Sequence, residues 1–284
     1  MTPAANRKLI DLPTPAPAHT DAYVQNVRAQ LQRPATSGWK GTGWAFWYSF
    51  VKLITNPFSL AFAIGMPILM YMMFGTGQEY SSEWMVHGNV AAMILINMAL
   101  YGTIMTTSSM GTVVALERTN GVTRLYATTP LSPLAAIFAR IGSAMLTSAI
   151  IIAIVFAVGA LTGSRMDASA WLQAAVMIVA LSALPAALGL AAAFTVRSDG
   201  AFALNSIVTV VGSFAAGMFI PLEQMGPFWA RIAPWSPFYG AANLAQLPTF
   251  GFDQFEWKWL VNYLAWTAFF AALAVWGTRR NTGR

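Results

Sequence analysis

Cysteine is absent from this chain of 284 residues, and charge is scarce, since Asp, Glu, Lys and Arg make up only 9% of it. A soluble domain carries about 25% charged residues. Without cysteine, disulfides and thiolate metal sites are excluded. The two histidines, His19 and His87, form no His-Glu-x-x-His pattern, and the chain contains no Gly-x-x-x-x-Gly-Lys-Ser/Thr loop. We therefore expect no catalytic residue, no metal site, no cofactor of its own and no P-loop for binding ATP.

Hydrophobic residues make up 57% of the chain and are gathered into long runs. A helix of about 20 apolar residues crosses a hydrocarbon core of about 30 Å. The sequence therefore predicts an all-α membrane protein with six transmembrane helices. Their expected ranges are 57–75, 86–114, 133–161, 170–196, 201–220 and 258–277. The segment 221–257 contains five prolines and many aromatic residues, which predicts re-entrant or surface helices before the last span.

An amphipathic segment precedes the first span. Residues 39–55 place Trp44, Trp47 and Tyr48 on one side of a helix, whereas Lys52 falls elsewhere. Tryptophan favours the headgroup level of a membrane, and a basic amphipathic helix can lie in that plane. The pattern predicts an N-terminal interfacial elbow helix that leads into span 1.

The domain organisation follows from these segments. Residues 1–38 are rich in proline and lack the apolar run of a signal peptide, so we expect a disordered or flexible cytosolic arm. Residues 39–280 are expected to form one transmembrane domain, and residues 281–284 a cytosolic tail.

Positive charge indicates the orientation in the membrane. Thirteen of the sixteen Lys and Arg residues lie on one side of the predicted spans, and the other three are Arg165, Arg231 and Lys258. Cytoplasmic segments carry an excess of Lys and Arg. We therefore expect a multi-pass protein of the cytoplasmic membrane, in contact with membrane lipid, with both termini in the cytoplasm. Orientation accounts for the net charge of +6, and no nucleic-acid partner is expected.

The spans carry few ionisable groups but two narrow polar arcs. No Asp or Glu lies near the centre of a span, which argues against an ion-coupled carrier with carboxylate relays. At 100° per residue, each polar arc covers about 80°. The arcs consist of Asn97, Tyr101 and Ser108 in span 2, and Asn205, Thr209 and Ser213 in span 5. They line a cargo path or a dimer interface, or they only pack helices together.

Two series of short motifs flank the spans. The loop after span 2 contains Glu117-Arg118-Thr119-Asn120-Gly121, Leu125 and Thr129-Pro130-Leu131-Ser132-Pro133. The end of span 5 contains Gly217, Ile220-Pro221, Pro227 and Pro234-Trp235-Ser236-Pro237. These motifs, in the order of elbow, six spans and long last external segment, resemble the type-2 ABC exporter permeases, the transmembrane subunits of drug-resistance transport. The resemblance covers about residues 40–280.

The resemblance implies that the chain is one half of a transmembrane channel. Its implied partners are a cytosolic ABC ATPase subunit, which holds ATP and Mg, and a second permease copy or a sister permease. It also implies that loop 117–132 forms a coupling helix that sits in a groove of the ATPase. The residues matching this motif are Glu117, Arg118, Gly121, Arg124, Leu125, Thr129 and Pro130. A solvated connector is the alternative for this loop.

The predicted function is export of an amphipathic drug, peptide or lipid-like cargo across the cytoplasmic membrane. Short external loops between spans 1 and 2 and between spans 3 and 4 favour a small or lipid-like cargo. Export of a lipid-linked polysaccharide is an alternative with the same architecture. An ion-coupled carrier or channel is the alternative from a different class.

Overall fold

The computed structural model describes residues 38–55, 57–120, 131–196 and 198–282. These residues form helices joined by short segments that include two isolated β-bridges. The helices are α1 (Thr42–Ile54), α2 (Pro57–Phe74), α3 (Val90–Thr119), α4 (Pro133–Thr162), α5 (Ala168–Leu181), α6 (Ala183–Thr195), α7 (Ser198–Ala215), α8 (Leu222–Met225), α9 (Pro227–Ile232), α10 (Tyr239–Phe250) and α11 (Trp257–Thr282). The expected all-α fold is confirmed for this part of the chain. The predicted arm lies almost entirely outside the described residues.

Side-chain caps determine where the two longest helices begin. Asn89 Oδ1 accepts a hydrogen bond from the backbone N–H of Ala92 at 3.0 Å, so α3 begins after Asn89 and not at the predicted residue 86. Ser132 caps α4 in the same way at 3.1 Å. Pro133 occupies the first turn of α4, where a missing N–H leaves no helical bond unmade. The motif Leu131-Ser132-Pro133 is therefore a helix start.

The end of α3 also differs from the prediction. The span was expected to end at residue 114, but the helix continues to Thr119. Glu117 and Arg118 consequently lie in the last turn of α3 and not in a loop. The extra turn is stabilised by polar contacts with neighbouring helices, which hydropathy does not register.

The predicted span 170–196 consists of two helices that meet at Ser182. Pro185 lies in the first turn of α6 and has no backbone N–H to donate to the carbonyl of Leu181. The N–H and hydroxyl of Ser182 both donate to the carbonyl of Val179, at 3.2 and 2.6 Å. The proline therefore gives the break a local cause, while α5 and α6 still follow one another as a single apolar unit.

The segment between α7 and α11 contains short helices of two kinds. α7 ends at Ala215, earlier than the predicted residue 220, and Gly217 adopts a φ of 76° just beyond it. No residue of α9 is buried. By contrast, α10 is largely buried and packs against α3, α5 and α11.

α3 is the central helix of the bundle. It packs against α2, α4, α6, α7 and α10, and its buried residues extend from Ala91 to Ala115. α11 is the opposite case, because most of its apolar surface is exposed and it packs mainly on α6 and α10. Any displacement of α3 therefore affects most of the bundle.

Four helices in the described ranges are long and apolar enough to cross a membrane. They are Val90–Thr119, Phe138–Thr162, Ala168–Thr195 and Trp257–Gly277. Two shorter apolar helices, Ala61–Phe74 and Gly200–Ala215, occupy the places of predicted spans 1 and 5. These lengths fit a multi-pass membrane protein. The total of six spans and the interfacial position of α1 stay predictions.

Candidate functional site

The carboxylate of Glu117 lies between two basic side chains from other helices. Its Oε1 accepts a hydrogen bond from Lys52 Nζ of α1 at 3.0 Å, and its Oε2 accepts one from Arg140 Nη2 of α4 at 2.5 Å. The Glu117 side chain is 13% exposed, against 19% for Arg140 and 46% for Lys52. Charge-assisted hydrogen bonds are roughly twice as strong as neutral ones. Glu117 therefore joins α1, α3 and α4 at one end of the bundle.

Arg118 contacts a fourth helix. Its Nη1 donates to the backbone carbonyl of Ala193 at 2.8 Å, and its guanidinium carbon lies 5.2 Å from the centre of the Phe194 ring. Both partners belong to the last turn of α6, where backbone carbonyls lack a partner within the helix. The negative end of the helix dipole also favours a cation there. Arg118 thus caps α6.

The other residues of the predicted coupling motif lie outside the described residues. They are Gly121, Arg124, Leu125, Thr129 and Pro130. Their coupling role stays a prediction. Just after these residues, the backbone N–H of Ser132 donates to the carbonyl of Gly38 at 2.8 Å. This bond joins the start of α4 to the segment before α1.

Lys52 and Arg140 were not predicted as site residues, because in the sequence they indicated only the orientation of the chain and, for Lys52, the polar side of the elbow helix. Arg140 is the one charged residue in the apolar run 133–161. An isolated charge within a span requires a partner. That requirement was the available signal, and it could have directed attention to an acidic residue at the end of a neighbouring span.

Three residues of the two polar arcs face each other inside the chain. Asn205 Nδ2 of α7 donates to Ser108 Oγ of α3 at 3.1 Å, and Ser108 Oγ lies 3.5 Å from Thr209 Oγ1. Ser108 and Thr209 are buried, as are Asn205 and Ser213. The two arcs thus form a polar seam between α3 and α7, and their role as a cargo path, a dimer interface or helix packing stays a prediction.

The remaining arc residues of α3 contact the segment that follows α7. Asn97 Oδ1 accepts a hydrogen bond from Gln246 Nε2 of α10 at 2.7 Å. The ring of Tyr101 meets that of Phe219 edge-on, with ring centres 4.8 Å apart. Asn97 and Tyr101 are both buried. The six predicted arc residues thus lie inside the chain and not on its outer surface.

Two acceptors of the seam have no hydrogen-bond partner among the described residues, namely Asn205 Oδ1 and Ser213 Oγ. A buried polar group left unpaired costs about 1–3 kcal/mol. This cost offsets part of the stabilisation from the Asn205–Ser108 contact.

A close crossing of α3 and α6 lies beside the seam. A Cβ atom at Gly111 would collide with the backbone of Gly189, and one at Gly189 would collide with the carbonyl oxygen of Ser108. Small residues let membrane helices approach closely. This crossing was not predicted, because two single glycines in different apolar helices form no repeated spacing.

The opposite end of the bundle is held by contacts around His87. Its Nδ1 lies 2.9 Å from Asp167 Oδ2, and its backbone N–H donates to the carbonyl of Thr249 at 3.0 Å. Asn89 Nδ2 donates to the carbonyl of Gly163 at 2.9 Å. These bonds join the segment before α3 to the α4–α5 turn and to α10.

The chain resembles a known family over most of its length. A family model described as ABC-2 type transporter matches residues 41–247, nearly three quarters of the chain. The matched range includes α1 to α9 and most of α10, and therefore the Glu117 contacts and the polar seam. No curated protein matches the chain.

Proposed function

Because the chain belongs to the ABC-2 type transporter family, we propose that it is the permease subunit of an ATP-driven exporter. The family match over residues 41–247 carries this proposal, and the apolar helices of the bundle supply a multi-pass membrane domain. The sequence contains no P-loop motif. ATP and Mg are accordingly assigned to a separate cytosolic ABC ATPase subunit.

The proposed topology has six spans and two cytoplasmic termini. α2 and α7 have 18 residues each, which corresponds to about 27 Å at 1.5 Å per residue. That length is close to the hydrocarbon thickness, and small mismatches are absorbed by local thinning of the bilayer. The excess of Lys and Arg on one side supports the orientation.

The proposed cargo is an amphipathic drug, peptide or lipid-like molecule. The polar seam offers neutral hydroxyl and amide groups beside apolar side chains. Such a lining suits a molecule with both apolar and neutral polar parts. The connection between α2 and α3 is short and is fastened to the bundle, which leaves little room there for a large external domain.

The permease is proposed to pair with a second copy or a sister permease. Exposed apolar side chains cover one side of α2 and of α7, and they include Leu69, Met73, Ile207 and Val211. Asn97 and Asn205, by contrast, are buried within the chain. We therefore place the pairing surface on the exposed faces of α2 and α7, with the polar seam behind it.

Energy from the ATPase is proposed to enter near loop 117–132. The described start of this segment is the last turn of α3, where Glu117 and Arg118 contact three other helices. A push at this end of α3 is transmitted along the helix towards Ser108 and the seam. The chain therefore contains a rigid element through which a cytosolic subunit can act.

The function is tested in inside-out vesicles that contain the permease and its cognate ATPase, with the fluorescent amphipathic cation ethidium as the probe. We expect ATP-dependent uptake that is abolished when the ATPase carries a substitution that prevents hydrolysis. Uptake that follows an ion gradient and ignores ATP would support the ion-coupled carrier instead. ATP-dependent uptake of a lipid-linked saccharide without uptake of ethidium would favour the polysaccharide alternative.

A further inference from the structure

The two residues expected to face an ATPase are engaged inside the chain. Both carboxylate oxygens of Glu117 accept hydrogen bonds from Lys52 and Arg140, and the Glu117 side chain is 13% exposed. Arg118 is bonded to the carbonyl of Ala193 and lies over the ring of Phe194. Little of the Glu117 carboxylate is therefore available for a second protein.

The adjacent opposite charges reach different sets of helices. Glu117 reaches α1 and α4, whereas Arg118 reaches α6. Since both residues belong to the last turn of α3, the ends of four helices are connected through two consecutive side chains. The connections are long-range in the chain, because Lys52 is 65 residues from Glu117 and Ala193 is 75 residues from Arg118.

The same helix carries the polar seam. Ser108 lies nine residues before Glu117 on α3, which is about 14 Å along the helix axis. A helix of this length moves as a stiff unit, so a displacement at Glu117 reaches the Ser108–Asn205 contact directly. Coupling between two sites requires one identifiable element that both of them contact. The Glu117 contacts and the Ser108–Asn205 contact both lie on α3, so α3 is that element.

We propose that Glu117 is a positioning residue that fastens α1 and α4 to α3, while Arg118 fastens α6, so that these four helix ends move as one unit during transport. The proposal rests on the proposed function, since it concerns how a permease uses force from its ATPase. It differs from a docking role, because Glu117 acts through Lys52 and Arg140 and not through the partner protein. Loss of the Glu117 charge would remove the acceptor that Lys52 and Arg140 share.

The first test uses the isolated full-length chain, whose lack of cysteine permits clean labelling. Spin labels are placed on cysteines that replace Trp44 of α1 and Leu161 near the far end of α4, which are 73% and 87% exposed. Pulsed electron paramagnetic resonance then gives the distribution of distances between them. We expect a narrow distribution for the native charges and a broad one for Glu117→Gln. Labels replacing Leu172 and Leu204, on α5 and α7, form the control pair and should be unaffected.

The second test reverses the charges. In the triple variant Lys52→Glu/Glu117→Lys/Arg140→Glu, a cation lies between two carboxylates, so that opposite charges still face each other. We expect it to restore the narrow distance distribution, whereas Glu117→Lys alone should give a broad one. Glu117→Gln/Arg140→Gln restores the net charge of the three groups but not the ion pairs that join the helices. We expect this variant to be folded, as shown by a cooperative unfolding transition, and to keep the broad distance distribution. An unchanged distribution in Glu117→Gln, or a narrow one in the neutral pair, would overturn the proposal.

The third test measures ethidium transported per ATP hydrolysed, in vesicles that contain the cognate ATPase. We expect a decrease of about tenfold for Glu117→Gln, recovery in the triple reversal and unchanged ATPase binding. Lost ATPase binding with an unchanged distance distribution would show that Glu117 is a docking residue. Normal coupling despite a broad distribution would refute the positioning role. If even the native chain shows no ATP-driven uptake, the proposed function fails, while the first two tests still decide whether Glu117 ties the helices.

Discussion

At the residue scale, Arg118 makes three interactions at once that no other type of side chain can make together. Its guanidinium donates to a carbonyl at the end of α6, lies over the Phe194 ring and meets the negative end of the α6 dipole. Arginine presents a planar group suited to bonding and stacking at once, whereas lysine is a compact point charge. The identity of this residue, and not only its charge, therefore matters to the fold.

We expect Arg118→Ala to reduce the free energy of unfolding by about 2 kcal/mol, since hydrogen bonds that involve charged groups contribute about 1.5–3 kcal/mol. Arg118→Lys should recover only part of this loss. Unfolding in mixed micelles, followed by tryptophan fluorescence, measures both values. Thr119→Ala is the matched control, because the hydrogen bond of the Thr119 hydroxyl among the described residues goes to Ala115 of its own helix. A lysine variant as stable as the native chain would contradict a role for the planar guanidinium.

At the element scale, the crossing of α3 and α6 determines how the centre of the bundle packs. Gly111 and Gly189 bring the two backbones into direct contact, next to the Ser108 that forms the seam. Without a hydrophobic driving force between helices in lipid, such close packing is a main source of association. A side chain at either glycine would separate the helices.

The corresponding prediction is that Gly111→Ala lowers stability by about 1–3 kcal/mol, the usual cost of inserting a methyl group into a packed core. Gly43→Ala is the control, since no atom lies within 4 Å of a Cβ at Gly43. Both variants are compared by unfolding in mixed micelles. If Gly111→Ala is as stable as Gly43→Ala, the close crossing does not exist in the membrane.

The proposed pairing with a second permease depends on whole helix faces. We expect cysteines that replace Leu69 on α2 and Ile207 on α7 to form cross-links between two copies, because both side chains are exposed on the proposed pairing surface. Cysteines at Leu172 on α5 and Val261 on α11 are equally exposed controls and should not cross-link. Cross-links from α5 or α11 alone would place the interface on the other side of the bundle. If the partner is a sister permease, cross-links will form only with that chain.

At the scale of the whole molecule, orientation determines which end of the bundle the proposed ATPase subunit can reach. The charge distribution predicts that the Glu117 end is cytoplasmic and that the His87 end is external. We therefore expect a cysteine replacing Thr282 to resist a membrane-impermeant reagent in intact cells and to react after lysis. A cysteine replacing Gln254, in the segment before α11, should react in both conditions. Labelling of Thr282→Cys in intact cells would overturn the topology.

Much of the fold was predictable because the local causes are visible in the sequence. Apolar runs predicted long helices, and Ser132-Pro133 marks the start of one. The break at Ser182 follows from Pro185, although the apolar run conceals it from hydropathy. The ends of α3 were misplaced because caps and polar side-chain contacts, and not hydrophobicity, determine them.

The candidate site was only partly predictable. Glu117, Arg118 and the two arcs were identified, but Lys52 and Arg140 were not, and the direction of each contact was unknown. The sequence by itself determined the helical membrane class, because hydrocarbon offers the backbone no other hydrogen-bond partners. The tertiary structure alone decided that Asn205 faces Ser108 and that Glu117 joins Lys52 to Arg140. The physical reason is that periodicity places a residue on one side of a helix, whereas packing against other helices selects which neighbour that side meets.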